Sequence, residues 1–397
     1  MQEGRLKKTI ILGKTGVERL EKRHPWVFRG QILSSGDASP GDLVPAGPAG
    51  KAPLAWGFWS GSDLSFRALS FGPVKPDVKI LLSHRLGRAL SWRRKWCPGE
   101  AAFRLVHGEG DGLPGLVADI YGPVAVLQFL CTGWYLRKEL VLDSLRDLLP
   151  LEAAVLRNDV RSLFREGLPQ ETGVLFGRLP SDGGLTLPIG SILQRIYPLK
   201  GQKTGTYLDV REFPAQLAEG WREGRVLDCF SYTGQFGLTA LRAGAGEVLA
   251  VEQSREAIGT AEENLELNGL PRRITWLEGN AFDILRDLEK KRERFSSVIL
   301  DPPPFSPSRA RVDSAKRGYK DLAIRGLRLL APGGCLFFLS CSHAFSRDLL
   351  LSTLGEAAWD TGSSLRILRE FHQPADHPAL LSVPETEYLK GFLAGKD

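Results

Sequence analysis

Cysteine is scarce in this chain. Its 397 residues hold five (Cys97, Cys131, Cys229, Cys335 and Cys341), odd in number and widely spaced. No CxxC pair and no Cys/His cluster at metal-ligand spacing occurs, which argues against both a disulfide framework and a zinc site. The histidines show no metal spacing either, so no metal is expected. No apolar run approaches the ~18 residues of a membrane span. The polar stretch Met1–Lys8 lacks the apolar segment of a signal peptide. Repeats and low-complexity tracts are also missing. A cytoplasmic protein in a reducing compartment is expected, with no membrane partner.

What is present is ordinary in bulk and informative in order. Hydrophobic residues make up 43% and charged residues 25%, the balance of a globular protein. The formal net charge of +6 favours an anionic partner without naming one. The length calls for two or three domains. Residues 1–72 carry short β-like runs (Thr9–Leu12, Trp26–Leu33, Leu64–Leu69) punctuated by Gly and Pro, and suggest a small β-barrel. A proline-bearing linker, Gly72–Pro76, follows. Residues 77–190 read as a small α+β domain, with a helix over Val78–Trp96, a strand over Val124–Phe129 and a helix over Tyr135–Leu149.

Over residues 191–397 strands alternate with helices of 10–15 residues, the pattern of parallel βαβ units in a doubly wound α/β sheet. Strands are expected at Arg225–Cys229, Glu247–Glu252, Ile274–Glu278, Ser297–Leu300 and Cys335–Ser340. The basic stretch Ser306–Arg317 reads as a mobile loop, followed by a helix from Tyr319.

Ligands of such sheets bind beyond the carboxyl ends of the strands. The first strand ends in Asp228-Cys229-Phe230-Ser231-Tyr232-Thr233-Gly234, where glycine permits close backbone approach. The second ends at Glu252, followed by Gln253, and an acid there can accept ribose hydroxyls. The third ends at Asn280-Ala281, where an amide or backbone group can read an adenine edge. The fourth ends in Asp301-Pro302-Pro303-Pro304-Phe305 and the fifth in Ser340-Cys341-Ser342. The loop has neither G-x-G-x-x-G nor G-x-x-x-x-G-K-[ST], and Phe230, Tyr232 and Thr233 crowd the space a phosphate needs. A ligand with adenosine but no phosphate suits it. S-adenosyl-L-methionine is such a ligand.

These segments, with Gly201–Asp209, His24-Pro25-Trp26-Val27-Phe28, Gly108–Leu116, Ala375–Pro378 and Glu387-Tyr388-Leu389-Lys390-Gly391, resemble the bacterial large-subunit ribosomal RNA cytosine-C5 methyltransferases. The resemblance spans nearly the whole chain, in order. It departs at Val210–Phe213 and at the proline-rich Gly36–Pro53. It implies an N-terminal PUA domain, a small α+β domain and a Rossmann-like class I methyltransferase domain with a mostly parallel seven-stranded sheet. It further implies Cys341 as nucleophile, Asp301 as the acid at ring N3, 23S ribosomal RNA as partner, and a homodimer. Cys341 also reads as a buried core thiol, and Asp-Pro-Pro also serves enzymes that methylate exocyclic amines. An RNA or DNA N-methyltransferase and a non-catalytic RNA-binding scaffold therefore stand as alternatives.

RNA contacts are expected from basic residues with aromatics among them. Arg23 and Arg29 lie near Trp26, Lys203 lies in the Gly201–Asp209 segment, and Arg309, Arg311, Lys316 and Arg317 follow Asp301. The helix bearing Arg85, Arg88, Trp92, Arg93, Arg94, Lys95 and Trp96 is either a solvated face with tryptophans packed inward or a further contact.

Overall fold

The computed structural model describes residues 8–221, 223–305 and 312–397. They form two compact units. One holds the chain up to Leu185 with Ile196–Leu208 and Ala375–Thr386; the other holds Thr186–Arg195, Asp209–Pro374 and Glu387–Asp397.

The second unit is built on a seven-stranded sheet. Its strands are β1 (Arg225–Cys229), β2 (Glu247–Glu252), β3 (Ile274–Glu278), β4 (Phe295–Leu300), β5 (Leu330–Ser340), β6 (Leu365–His372) and β7 (Lys390–Lys396). Their spatial order is β3-β2-β1-β4-β5-β7-β6. The first five run parallel, and β7 pairs antiparallel with both β5 and β6. Strands β1, β2 and β4 are buried along nearly their whole length, as apolar runs covered on both faces must be. The cover comes from α1 (Gln235–Arg242), α2 (Arg255–Leu267), α3 (Ala281–Lys290), α4 (Val312–Leu329) and α5 (Arg347–Thr361). Side chains cap three of them: Ser254 accepts from the Ala257 amide, Asn280 from Phe282 and Ser346 from Leu349. Val298, Leu300, Leu327, Leu336 and Phe338 lie at the centre of the core.

Helix α4 corrects one expectation. It begins at Val312, so Lys316 and Arg317 are helical rather than part of a mobile loop. Ala315, Tyr319, Leu322 and Ala323 are buried at helical spacing, and that apolar face holds the basic residues in the helix. Arg309 and Arg311 lie outside the described residues. Strand β5 also starts five residues before Cys335, which pairs with Ser297 inside the sheet rather than opening the strand.

The first unit contains a six-stranded sheet in the order Trp26–Val27, Phe66–Phe71, Ala55–Trp59, Leu43–Gly47, Ile10–Leu12, Ile32–Ser34. Ile10, Val27, Val44 and Phe66 fill its core. A five-stranded sheet runs Glu171–Gly177, Ala153–Asn158, Val124–Phe129, Leu116–Tyr121, Ala102–His107. The helix Val78–Trp96, capped by Asp77, packs Leu82, Leu86 and Leu90 against this second core. No helix among the described residues is long and apolar enough to cross a membrane.

Arg93 is the exception on that helix. Its side chain is 1% exposed, and it forms a two-point ion pair with Asp111, itself 7% exposed. Further hydrogen bonds go to the carbonyls of Arg104 (2.8 Å) and Asp376 (2.7 Å). This cation is structural. Arg93→Ala leaves the buried Asp111 carboxylate without its partner, and is expected to cost about 3–5 kcal/mol. The check is a lowered thermal midpoint relative to Arg94→Ala, which removes an exposed arginine one position on.

Candidate active site

The parallel register decides what meets at the sheet edge. Cys229 lies beside Val251 and Leu300, Glu252 beside Glu278, and Leu300 beside Phe338. The segments following each strand therefore leave the sheet on one side. They are Phe230–Gly234, Gln253–Ser254, Gly279–Ala281, Asp301–Phe305 and Cys341–Ser342.

The first of these loops is held in an unusual shape. Phe230 (φ 64°), Tyr232 (φ 49°) and Gly234 (φ 83°) all have left-handed backbones. Glycine is required at 234, where a Cβ would come within 2.9 Å of the Trp276 ring. The amides of Phe230 and Ser231 donate to the Val251 carbonyl at 2.9 and 3.1 Å. The Thr233 carbonyl accepts from Asn264 at 3.0 Å.

Glu252 fastens the same loop. One of its oxygens accepts from the Tyr232 amide and the other from Gln253 and Ser254, each at 2.9 Å. A carboxylate offers about four lone-pair sites, so acceptor capacity is left for a hydroxyl. Asn280 spends its oxygen capping α3, and Ala281 is buried at the start of that helix. Asp228 is buried; Oδ2 accepts from the Gly237 amide at 2.9 Å, and Oδ1 has no hydrogen-bond partner among the described residues. Burial pushes its carboxyl up to about 7. A left-handed cradle, an acid with spare acceptor capacity and crowding where phosphates would sit fit S-adenosylmethionine.

Asp301 and Cys341 are both partly buried, and Pro302 is buried. Between β4 and β5 stands Tyr319 of α4, fully buried, its hydroxyl accepting from Ser340 at 2.8 Å. Burial raises this phenol far above its ordinary range, and Cys341 and Asp301 lie near enough to raise it further when ionised. The sulfur and the carboxylate thus share one neighbourhood. Phe305, from the segment after Asp301, packs on Tyr319 with ring centroids 4.8 Å apart.

Lys390 completes this corner. It pairs with Ser340 across β7 and β5, and its buried Nζ donates to the carbonyls of Ser342 (2.5 Å) and Tyr388 (2.9 Å). Burial pushes the ammonium down to about 8, against the opposing charges of Cys341 and Glu387. Sequence reasoning assigned no role to Tyr319 or Lys390. The motif Glu387–Gly391 was the one available signal for the lysine.

The other candidates are dispersed. Cys229 is fully buried and its thiol is driven well up by burial and by Asp228, which suits a core residue. Lys316 is ion-paired with Glu356 at 2.5 Å, so its charge is already matched, whereas Arg317 is exposed. Lys203, in the first unit, lies over the Tyr207 ring at 4.2 Å. Arg29 is exposed and donates to the Gly61 carbonyl, and Arg23 is exposed beside Phe71. No group of three or more acids, histidines or cysteines suited to a metal occurs among the described residues.

Residues 191–390 match a family model described as S-adenosylmethionine-dependent methyltransferase, and residues 10–71 one described as a PUA-like domain. The chain is 35% identical over 391 residues to a ribosomal RNA large subunit methyltransferase I from Salmonella arizonae, covering 96% of each chain. It is 37% identical over 391 residues to the protein of that name from Aeromonas hydrophila, covering 97% of this chain and 98% of the other. A solved structure described as an S-adenosylmethionine-dependent methyltransferase from Streptococcus mutans shares the fold at TM-score 0.83 and 17% identity, covering 98% of this chain and 100% of that one. A second, complexed with S-adenosylhomocysteine, also has TM-score 0.83, at 18% identity and the same coverage.

Asp228 makes stability depend on pH. Above its ordinary value of 3.8 the unfolded carboxyl ionises, while the folded one keeps its proton up to about 7. The folded state then binds more protons, so stability is lost as pH rises through that window. Asp228→Asn removes the loss. The difference in Tm between variant and wild type should widen from pH 3.8 to about 7 and stay level above, as thermal melts across pH would show.

Proposed function

Because this chain belongs to the S-adenosylmethionine-dependent methyltransferase family, we propose that it methylates carbon 5 of a cytosine in large-subunit (23S) ribosomal RNA through a covalent adduct on Cys341. The names of its relatives support ribosomal RNA as substrate. The observation that supports the cytosine mechanism is that Asp301 and Cys341 follow the ends of the neighbouring parallel strands β4 and β5, both near enough to the buried Tyr319 to act on it electrostatically.

Asp228, Phe230, Ser231, Tyr232, Thr233 and Gly234 form the cradle for the donor. Glu252 receives ribose hydroxyls, while Gln253, Asn280, Ala281 and Pro302 close the adenosine side. When bound, S-adenosylmethionine supplies an electrophilic methyl group on its sulfonium. Carbon 5 of cytosine is too weak a nucleophile to take that methyl unaided. The Cys341 thiolate adds at carbon 6, forming a C–S bond and shifting the ring electrons toward carbon 5. Asp301, in its protonated form, donates its proton toward N3 and so neutralises the negative charge that develops there. Once carbon 5 is methylated, a base removes its proton, the C–S bond breaks and the thiolate is restored.

Lys390 is a positioning residue in this scheme. Its ammonium fixes the carbonyl that follows Cys341 and supplies a positive charge beside the thiolate.

RNA bearing 5-fluorocytidine should trap the adduct, because fluorine cannot leave as a proton does. The expected result is a covalent complex that Cys341→Ala abolishes. A Cys341→Ala enzyme that still methylates would eliminate the nucleophile and favour methylation of an exocyclic amine. Lys390→Met should slow alkylation of Cys341 by iodoacetamide at neutral pH about tenfold, with Lys390→Arg restoring much of the rate. An unchanged pH profile of alkylation would leave Lys390 with a purely structural part.

A further inference from the structure

A groove in the first unit, about 550 Å³ in volume, shares no lining residue with those assigned above to the donor. Its walls come from Arg23 and Phe71, from Arg85, Arg88 and Trp92 of the helix Val78–Trp96, and from the segment Pro378–Val383. The size falls within the ~300–1,000 Å³ of small-ligand pockets.

Its charges do not cancel. Two acids line it: Asp111 is ion-paired with Arg93, and Glu109 accepts from the neutral Trp26 indole at 2.7 Å, which leaves one negative charge against three arginines. The Arg85 guanidinium donates to the carbonyls of Gly112 and Leu69, which are neutral and leave its charge unmatched. Arg88 stands close enough to depress Arg85 electrostatically, so two like charges face one space. Arg23 is exposed, 5.8 Å from the Phe71 ring. Among the described residues none of these three arginines forms an ion pair. Guanidinium groups gathered in excess of the carboxylates beside them have the donor geometry that phosphate oxygens fill.

The aromatic wall is open as well. Trp92 is 46% exposed, and its indole is tied to the Ala375 carbonyl at 2.9 Å, which fixes the ring. Trp96, one turn on, is 52% exposed with its centroid 5.6 Å away. Fixed, exposed indoles beside cations are how proteins hold unstacked bases. An acidic peptide would use the arginines but leave the indole faces uncovered.

We propose that this groove seats an unpaired nucleotide of the RNA substrate, its base stacked on Trp92 and its phosphate among Arg23, Arg85 and Arg88. The inference rests on RNA being the substrate. Such a contact anchors the RNA at a site separate from the chemistry, and it is selective for single strands because a paired base cannot reach the indole.

The test is equilibrium binding of a labelled single-stranded oligoribonucleotide to the full-length protein across a salt series, without methyl transfer. Trp92→Ala and Arg88→Glu should each weaken binding about tenfold, Arg88→Glu should flatten the salt slope, and Trp92→Phe should recover most of the affinity. S-adenosylmethionine binding should not change in any variant, which controls for folding. Wild-type affinity in both variants would overturn the groove and leave the RNA assignment intact. Failure of the wild-type protein to bind RNA at any salt would overturn both. Equal competition by polyglutamate would reassign the groove to an acidic protein partner.

Discussion

Five parallel strands held in phase are the condition on which the corner bearing Asp301 and Cys341 depends. Side chains alternate faces along a strand, so a slip of one residue between β4 and β5 would exchange Ser340 and Cys341. Ser340 now reaches the Tyr319 hydroxyl, and the next residue takes the opposite parity as the strand ends. The six-residue pairing of β7 with β5 fixes Lys390 opposite Ser340. A sulfur from one strand, a carboxylate from its neighbour and an ammonium from an antiparallel third strand thus become neighbours through backbone pairing. The pairing is in turn secured by the apolar faces of β4 and β5 under α4.

The donor loop shows where that stability is used. Left-handed Phe230 and Tyr232 each cost about 1–3 kcal/mol, and the half-satisfied carboxyl of Asp228 adds to the strain. The loop keeps its shape because its amides are pinned to Val251 and Glu252 and its carbonyl to Asn264. Pinning in advance means that little backbone order remains to be imposed when a ligand arrives. Glu252 is central to this, since its one carboxylate accepts from the Tyr232, Gln253 and Ser254 amides and so fastens the loop to the end of β2.

Much of this was legible in the sequence for a physical reason. Strands β1, β2 and β3 are short apolar runs ended by Asp, Glu and Gly, and their limits follow from composition alone. The helix Val78–Trp96 is likewise bounded by an Asp cap and a following Gly-Pro-rich run. Legibility fails where tertiary contact overrides local pattern. Strand β6 is largely exposed and mixed in composition, and it exists because β7 supplies its hydrogen bonds. Lys390 reads as a solvent-facing lysine, and its burial follows from two carbonyls that no sequence pattern places. The opening turns of α4 are too basic and polar to announce a helix, and their apolar face is visible only once Tyr319 is known to be buried.

The basic helix of the first unit shows the same limit most clearly, because chemically identical residues there have opposite fates. Arg85, Arg88, Trp92 and Trp96 recur at spacings of three and four and share one face, whereas Arg93 turns inward with Leu86, Ala89 and Leu90. A run such as Arg93-Arg94-Lys95 gives no sign of which cation is buried. The inward arginine nevertheless governs the outward ones. By engaging Asp111 it takes up one of the two carboxylates that line the groove, and so leaves the arginines there in excess. A buried ion pair contributes little net stability against an apolar replacement. Its consequence here is the strength of the positive field in the groove beside it, which an apolar pair at 93 and 111 would also preserve, but a lone aspartate would weaken.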